Sequence, residues 1–267
     1  MTARPAQWGP QHASAFDDSE VARRYSARPP YARDAITFLR GLIDPSSYVV
    51  LDLGTGTGKI ARELAPTVAR VDAVDMSAPM LAEGKRLADS GAIRWIHARV
   101  EDADLVGPYG LATAGASLHW MEWDVVLPRF GTWLAPESYL AIVEDITLAN
   151  PWDAEVGPVL ARYSMNKDFQ PYNMLTIAQE LERRGLFQQV GMRTTDPAPF
   201  QQTAAGWVES WHARNGFSRD RMGPTAAREC DDRLMAIIDR HCPTGVVEQR
   251  TMGRVIWGWP RAGYVAG

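Results

Sequence analysis

A short glycine-rich segment that follows an apolar run constrains this chain more than any other feature of its sequence. The apolar run is Tyr-Val-Val-Leu at residues 48–51, and Asp52 follows it, with glycines at positions 54, 56 and 58. An acidic residue at a strand end and glycines at alternate positions predict a tight turn from a strand into a helix. Because glycine has no Cβ atom, a ligand can approach the backbone N–H groups of such a turn closely.

The spacing of these glycines discriminates between nucleotide ligands. The dinucleotide-binding fingerprint requires its third glycine one residue later, where this chain has Lys59. The phosphate-binding P-loop requires a glycine at the position of Leu53 and a serine or threonine at that of Ile60. Neither phosphate motif fits, so the spacing disfavours an NAD-dependent oxidoreductase and favours a ligand without phosphate.

The composition limits the partners that we expect. The formal net charge of the 267 residues is -4 and no cluster of lysine and arginine stands out, so nucleic acid is not an expected partner. The two cysteines, Cys230 and Cys242, suggest no disulfide framework and lack the spacing of metal ligands, so we expect no metal. No apolar segment is long enough for a membrane span, and the sequence indicates a soluble cytoplasmic protein.

Short apolar runs alternate with amphipathic segments from residue 48 onward, which is the pattern of a parallel α/β sheet. We expect strands at 48–53, 68–74, 93–97, 111–114, 139–144, 187–193 and 246–257. We expect helices at 59–65, 78–88, 125–134 and 176–184. A helical arm at residues 19–42, broken at Pro29-Pro30, precedes the sheet.

The same pattern divides the chain into three parts. We expect a helical arm or lid at 1–45, a Rossmann-like domain at 46–202 and 244–267, and a helical cap insertion at 203–243. The segment 150–171 contains three prolines and is expected to be loop-rich. Aromatic residues in the insertion favour a lid that contributes to a substrate pocket, and the alternative is a cap that packs them on the sheet.

Asp75 ends the second expected strand, about 20 residues after the first glycine of the loop. An acidic side chain at this place can accept hydrogen bonds from both hydroxyls of a ribose. The alternative is a cap for the helix that begins after Ser77. Glu101 and Asp102 follow the third expected strand and reach the same edge of the sheet, where they hold the exocyclic amine of adenine or face solvent.

Taken in order, residues 52–58, Asp75 and residues 100–102 (Val-Glu-Asp) resemble the first three motifs of class I S-adenosylmethionine-dependent methyltransferases. The resemblance implies a Rossmann-like seven-stranded sheet of order 3-2-1-4-5-7-6, with strand seven antiparallel, together with the arm and the cap insertion. Residues 114–120 (Ala-Gly-Ala-Ser-Leu-His-Trp) resemble a segment of small-molecule members similar to trans-aconitate methyltransferase and to UbiE-like methyltransferases. The chain departs from the family at Gly110, where many members carry an aspartate.

This resemblance implies S-adenosyl-L-methionine as the cofactor and S-adenosyl-L-homocysteine as its product. Arg28 would supplement backbone N–H groups at the methionyl carboxylate, or else it is a surface arginine beside a proline turn. The other residues expected to bind the cofactor are Asp52 near its ammonium group, Gly54, Thr55, Gly56 and Gly58 at the methionyl part, Asp75 at the ribose, Met76, Glu101 and Asp102 at the adenine, and Ala114.

Methyl transfer to a hydroxyl also requires removal of a proton, which suits a histidine near neutral pH. His119 follows the fourth expected strand and is the first candidate for this catalytic role, with Tyr25 of the arm as an alternative. A packed structural histidine is the other interpretation of His119, and an amine or carbon acceptor needs no base. The residues expected to contact the substrate are Tyr31, Ser117, Trp120, Trp211 and His212.

The function that the sequence favours is transfer of a methyl group to an oxygen, nitrogen or carbon atom of a small metabolite, in secondary metabolism. The mechanism would be an in-line displacement with the acceptor positioned under a lid. A non-catalytic S-adenosylmethionine-binding protein is the alternative, and an NAD-dependent oxidoreductase is a weaker one. The sequence leaves the identity of the acceptor open, and a homo-oligomer is compatible with it.

Overall fold

The computed structural model describes residues 14–167 and 173–261, so the predicted boundaries at residues 1, 171 and 267 lie outside the described part. The N-terminal arm consists of a 3-10 turn at Ser14–Asp17, helix α1 (Ser19–Arg24), a 3-10 turn at Tyr25–Ala27 and helix α2 (Arg33–Gly41). Asp18 starts α1 because its carboxylate accepts a hydrogen bond of 2.8 Å from the backbone N–H of Glu20. The interruption between α1 and α2 contains Pro29-Pro30, as the sequence predicted.

Within the described residues, eight strands form one mixed sheet. They are β1 (Val49–Leu53), β2 (Arg70–Asp75), β3 (Ile93–His97), β4 (Tyr109–Gly115), β5 (Leu134–Thr147), β6 (Phe187–Thr194), β7 (Ala198–Thr203) and β8 (Val246–Pro260). The strand order is β3-β2-β1-β4-β5-β8-β6, and β7 pairs with β8 beside this path. Strand β8 runs antiparallel to β5, β6 and β7.

With β8 taken as the seventh strand of the predicted sheet, the expected order 3-2-1-4-5-7-6 and the antiparallel last strand are confirmed. The eighth strand, β7, is an addition that the sequence did not predict. Its segment Ala-Pro-Phe-Gln-Gln-Thr lacks a strong apolar alternation and contains Pro199, a residue that sheets tolerate at their edges. This segment is therefore a strand because it pairs with β8, and its own sequence pattern does not predict one.

The remaining helices connect and cover the strands. They are α3 (Lys59–Leu64), α4 (Ala78–Leu87), α5 (Trp123–Trp133), α6 (Asp153–Tyr163), α7 (Met174–Arg183), α8 (Ala204–His212), α9 (Arg219–Met222) and α10 (Pro224–His241), with 3-10 turns at Ala65–Thr67 and Leu118–Trp120. Ser77 caps α4 by accepting a hydrogen bond of 3.2 Å from the backbone N–H of Met80. The cap residue, the helix and the glycine-loop helix α3 all lie where the sequence predicted them.

The sheet carries a buried apolar layer on each face. On one face, Leu51 and Leu53 belong to a cluster that includes Phe130 of α5 and Leu181 of α7. On the other face, Val50 belongs to a cluster that includes side chains of α2 and α3, among them Leu39, Ile60 and Leu64. A sheet covered by helices on both faces is typical of parallel sheets. The parallel pairing of β1, β2, β3, β4 and β5 places the carboxyl ends of these strands at one common edge.

The expectation that residues 150–171 are loop-rich was wrong, because α6 occupies much of this segment and contains Pro158. The helix is stabilised by tertiary packing: Trp152 and Val156 are buried in a third apolar cluster with Trp207 of α8 and Leu234 of α10. Burial of an apolar face outweighs the weak local helix preference of a proline-containing segment. The predicted cap insertion at 203–243 and α6 therefore share one apolar cluster.

Gly110, the departure from the family pattern, lies in a tight place at the start of β4. A Cβ atom at this position would lie 2.0 Å from the carbonyl oxygen of Ser47. The backbone oxygen of Gly110 also accepts a hydrogen bond of 3.0 Å from the backbone N–H of Asp44. The segment before β1 thus approaches the backbone of β4 so closely that only glycine fits.

Candidate functional site

The glycine loop between β1 and α3 turns through three residues of left-handed conformation. The φ angles of Gly54, Gly56 and Gly58 are +60°, +56° and +72°. A Cβ atom at Gly54 would lie 2.6 Å from the Cβ of Ser117, and one at Gly58 would lie 2.5 Å from Cη2 of Trp95. At Gly56 the nearest atom is Cε of Met80 at 3.8 Å. Two of the glycines therefore permit close packing of the protein, whereas Gly56 leaves the backbone open to a ligand.

Asp52 lies beneath this loop and is 1% exposed. Its carboxylate accepts hydrogen bonds from the hydroxyls of Thr55 at 2.5 Å and Thr113 at 2.7 Å. Burial raises the pKa of Asp52 to about 6, and the two hydroxyl hydrogen bonds oppose that rise. These contacts make Asp52 a support of the loop from within the core.

Asp75, at the carboxyl end of β2, connects the loop to the following helix. Its Oδ2 accepts a hydrogen bond of 2.7 Å from the backbone N–H of Gly56, and its Oδ1 accepts one of 2.8 Å from that of Ser77. Burial raises the pKa of Asp75, and both backbone hydrogen bonds oppose the rise. A carboxylate has about four lone-pair positions, so each oxygen can still accept a hydrogen bond from a ligand hydroxyl.

A cavity of about 810 Å³ opens at the carboxyl ends of the parallel strands. Its volume lies within the range of roughly 300–1,000 Å³ that is typical of small-molecule sites. Eleven of the residues that the sequence predicted for the site line this one cavity: Tyr25, Arg28, Gly54, Gly56, Asp75, Met76, Glu101, Ser117, His119, Trp120 and Trp211. The arm, the glycine loop, the end of β4 and the segment after α8 thus meet around a single cavity.

Other predicted residues support the site without lining the cavity. Asp52 and Thr55 are buried and hydrogen-bond to each other, Gly58 packs against Trp95, and Ala114 is buried within β4. The hydroxyl of Tyr31 reaches Gly115, where a Cβ atom would lie 2.5 Å from that oxygen.

Asp102 and His212 lie away from the cavity wall. The side chain of Asp102 is 74% exposed, and one of its oxygens is 3.8 Å from Nε of Arg99. His212 is buried, with Nδ1 2.6 Å from the carbonyl oxygen of Phe217 and Nε2 2.6 Å from Oδ1 of Asp231. Both ring nitrogens of His212 therefore have structural partners inside the protein.

The segment after β4 shapes the middle of the cavity. The hydroxyl of Ser117 donates a hydrogen bond of 2.6 Å to the carbonyl oxygen of Leu53 and so joins β4 to the glycine loop. His119 is buried in the 3-10 turn that follows, and its ring centroid is 4.0 Å from that of Trp120. The ring centroid of Trp120 is 6.3 Å from that of Phe16 in the arm, so the arm covers this part of the cavity.

Lys59, the first residue of α3, attaches the arm to the glycine-loop helix. Its Nζ donates hydrogen bonds to the carbonyl oxygens of Arg28 at 2.9 Å and Pro29 at 2.8 Å, and lies 5.2 Å from the ring centroid of Tyr25. Burial, reinforced by the nearby charge of Arg28, lowers the pKa of Lys59 to about 7. Arg28 itself donates a hydrogen bond of 3.3 Å to the hydroxyl of Tyr25. These contacts hold Tyr25 and Arg28 at the cavity.

Several lining residues were missed by the sequence interpretation. Glu144 and Asp145 line the cavity from β5, and a pair of acidic residues near a strand end is the same signal that identified Asp75. Arg214, Asn215 and other residues of the segments around α6 and α8 had no local signal, because their place depends on how the helices pack. The further lining residues of these segments are Gly157, Leu160, Ala161, Ser164, Asn166, Lys167 and Phe217.

Within residues 14–167 and 173–261, His, Cys, Asp and Glu side chains form no group of three or more that could hold a metal ion. The helices of the same ranges are each too short or too polar to cross a membrane.

Comparison with known proteins relates this geometry to a family. Residues 50–137 match the family described as "Methyltransferase domain". An uncharacterized methyltransferase of Mycobacterium tuberculosis is 32% identical over 111 residues, which are 41% of this chain and 56% of that protein. A Mycobacterium bovis protein of the same description matches to the same extent. The chain thus spans little more than half the length of these curated relatives.

Solved structures share the fold at low sequence identity. A protein of Anaeromyxobacter dehalogenans, described as a type II methyltransferase, has a TM-score of 0.62 and 20% identity over 88% of this chain and 98% of its own. An S-adenosylmethionine-dependent methyltransferase of Thiobacillus denitrificans, solved with S-adenosyl-L-homocysteine, has a TM-score of 0.52 and 17% identity over 94% of this chain and 99% of its own. These likenesses establish a common fold, with the glycine loop inside the matched domain.

Proposed function

We propose that this chain, which carries a class I S-adenosylmethionine-dependent methyltransferase domain, transfers the methyl group of S-adenosyl-L-methionine to a small-molecule acceptor. One observation carries the proposal. The open backbone of Gly56 and the carboxylate of Asp75, joined by a hydrogen bond of 2.7 Å, face one cavity at the carboxyl ends of parallel strands. In open α/β sheets this edge is where ligands bind.

The residues at the cavity fit a nucleoside that lacks phosphate. Asp75 offers acceptor positions for the two ribose hydroxyls, and Met76 and Glu101 beside it supply an apolar and a polar contact for an adenine ring. Gly56 leaves room for the methionyl part, and Arg28 provides a cation for its carboxylate. Asp52 acts indirectly here, because it holds the loop through Thr55.

S-adenosylmethionine held by Gly56, Asp75 and Arg28 would supply an activated methyl group on its sulfonium, with the sulfur atom as the leaving group that retains the electron pair of the S–C bond. The chain's own residues position the acceptor and exclude water. Trp120, Trp211 and Phe217 line the cavity, and Phe16 covers it from the arm.

His119 accepts the proton when the acceptor is a hydroxyl. It lines the cavity next to Ser117 and Trp120, and histidine is the side chain that most often acts as a general base. Tyr25 lines the cavity from the arm. Its hydroxyl and Arg28 orient the acceptor or the methionyl group. An acceptor nitrogen or carbon that already carries a free lone pair needs only this positioning.

The test is transfer of a deuterated methyl group from labelled S-adenosylmethionine to a panel of small metabolites, followed by mass spectrometry. Wild type is expected to label at least one compound and to release an equal amount of S-adenosyl-L-homocysteine. Asp75→Ala is expected to abolish transfer, whereas Asp239→Ala, at an exposed position of α10, serves as the matched control and retains it. Circular dichroism checks that both variants are folded.

Three outcomes oppose the proposal in different ways. Cofactor binding without label on any compound favours the non-catalytic binding protein. Oxidation or reduction of compounds with NAD favours the oxidoreductase. Equal transfer by wild type and Asp75→Ala contradicts the site, because the ribose contact would then be unnecessary.

A further inference from the structure

Arg214 brings a positive charge to the cavity from the segment that follows α8. Its guanidinium lies 4.5 Å from the ring centroid of Trp211, and both residues line the cavity. The Nε of Arg214 and the Nε1 of Trp211 are buried, and within the described part of the chain neither has a hydrogen-bond acceptor. Buried donors are nearly always satisfied in a working structure, so this pair indicates a polar ligand group that the protein itself does not provide.

The segment that carries Arg214 is firmly held. The carbonyl oxygen of Gly216 accepts a hydrogen bond of 2.9 Å from the backbone N–H of Met165, which follows α6. On its other side, His212 contacts the carbonyl oxygen of Phe217 and the carboxylate of Asp231, both at 2.6 Å. The guanidinium is therefore presented by an anchored loop, and binding to it costs little ordering entropy.

Most acidic groups at the cavity already have partners. Glu101 is 3.5 Å from Arg99, and Glu144 accepts a hydrogen bond of 2.9 Å from Arg254. Asp75 accepts two backbone hydrogen bonds and lies at the end where the nucleoside is proposed to bind.

The charges around Arg214 leave an excess of positive charge. Burial, with a contribution from Arg28, lowers the pKa of Arg214 to about 10, so the guanidinium remains charged at neutral pH. Lys59, whose pKa of about 7 leaves it about half protonated at neutral pH, adds part of a further positive charge near Arg214, and Asp145 is the carboxylate that opposes these two residues. A sulfonium in the same space would increase the excess. An anion entering here is attracted in a low-dielectric environment, where charge interactions are strong.

Given the proposed function, on which this inference rests, we propose that Arg214 binds an anionic group of the methyl acceptor, so that the substrates are organic anions with an apolar body. Arg28 lies with Tyr25 and Lys59 on the arm side, where it serves the cofactor carboxylate, which leaves Arg214 for the acceptor. The apolar body is accommodated by Leu160, Phe217 and Trp211, which line the same cavity. Arg214 thus determines specificity and takes no part in the bond changes.

The test uses two fluorescent probes with nearly the same aromatic body. Anilinonaphthalene sulfonate carries an anionic group, and phenylnaphthylamine lacks it. Each probe is titrated into protein saturated with S-adenosyl-L-homocysteine, for wild type, Arg214→Gln, Arg214→Lys and the matched control Arg221→Gln. Arg221 is exposed and lies on α9 of the same segment. Calorimetry measures the affinity of each variant for S-adenosyl-L-homocysteine in parallel.

Loss of a charge-assisted hydrogen bond is expected to raise the Kd of anilinonaphthalene sulfonate about 10- to 100-fold in Arg214→Gln. Arg214→Lys restores part of the affinity and Arg221→Gln retains it. The Kd of phenylnaphthylamine and that of S-adenosyl-L-homocysteine stay within about threefold of wild type, a difference of less than 1 kcal/mol.

The inference is overturned if Arg214→Gln binds the anionic probe as wild type does, or if it loses both probes equally. It is also overturned if that variant loses affinity for S-adenosyl-L-homocysteine and keeps the anionic probe, because Arg214 then binds the cofactor carboxylate. Failure of wild type to bind S-adenosyl-L-homocysteine is a separate result that contradicts the proposed function itself.

Discussion

The glycines of the loop are expected to respond differently to the addition of one methyl group. Gly56 and Gly58 both have left-handed φ angles, +56° and +72°, so alanine at either position costs about 1–2 kcal/mol of backbone strain. At Gly56 the new Cβ would be 3.8 Å from its nearest neighbour, and no further cost to folding is expected. That Cβ would instead project toward the cavity, which Gly56 lines.

At Gly58 the new Cβ would lie 2.5 Å from Cη2 of Trp95. Movement of Trp95 is restricted, because a Cβ at Gly84 would lie 2.7 Å from the same atom, so the ring occupies a notch between two glycines. Overpacking of this kind costs about 1–3 kcal/mol in addition to the strain. We therefore expect Gly58→Ala to lower the free energy of unfolding by roughly 2–5 kcal/mol, and Gly56→Ala by roughly 1–2 kcal/mol.

Urea denaturation measures the two losses, and calorimetry with S-adenosyl-L-homocysteine measures binding. Gly56→Ala is expected to remain folded and to bind at least tenfold more weakly, a change of about 1.4 kcal/mol. Gly131→Ala is the control: Gly131 is exposed within α5 with no atom within 4 Å of a Cβ, so alanine should stabilise the helix by about 0.5–1 kcal/mol. Equal destabilisation at Gly56 and Gly58, or unchanged binding by Gly56→Ala, would refute the assignment of the two glycines.

Three further expectations concern buried polar groups, each measured by urea denaturation. The free energy of unfolding of wild type, relative to that of Lys59→Met, should increase as the pH rises from 7 to about 9. The pKa of Lys59 is about 7 in the folded state and 10.5 ordinarily, so the unfolded chain binds more protons over this range. The same pH dependence in both proteins would show that folding does not lower the pKa of Lys59. The free energy of unfolding of wild type, relative to that of Asp52→Asn, should fall by up to about 3 kcal/mol as the pH rises from about 4 to about 6. Burial raises the pKa of Asp52 from 3.8 to about 6, so the folded state binds more protons over this range. An increase in the free energy of unfolding over that range would contradict a raised pKa of Asp52. His212→Ala should lower the free energy of unfolding by about 2 kcal/mol through loss of two buried hydrogen bonds, and an unchanged value would mean that neither is formed in solution.

Local sequence signals were sufficient for the elements that position the cofactor site. The apolar run before Asp52 and the glycines after it describe a strand and a turn within ten residues. Ser77 marks the start of α4 in the same way. The carboxyl ends of parallel strands share one edge of the sheet. The strand order was therefore enough to predict that Asp75 and Glu101 line the same cavity.

Contacts between distant segments decided what the sequence could not provide. Helix α6 forms across Pro158 because Trp152 and Val156 are buried against α8 and α10. His212 was expected to contact the substrate, yet its two ring nitrogens contact Phe217 and Asp231. Arg214 could not be found from its neighbours along the chain, since its relation to Trp211 and to the cavity depends on the packing of the helices.

The cavity formed around Gly56 and Asp75 is proposed to bind S-adenosylmethionine. The decisive measurement is calorimetric titration of the wild-type chain with S-adenosyl-L-homocysteine, beside a titration with NAD. We expect one site for S-adenosyl-L-homocysteine with a Kd between about 1 μM and 1 mM, the range of enzyme affinities for their substrates, and no heat of binding with NAD. Binding of NAD without binding of S-adenosyl-L-homocysteine would show that the cavity is not an S-adenosylmethionine site.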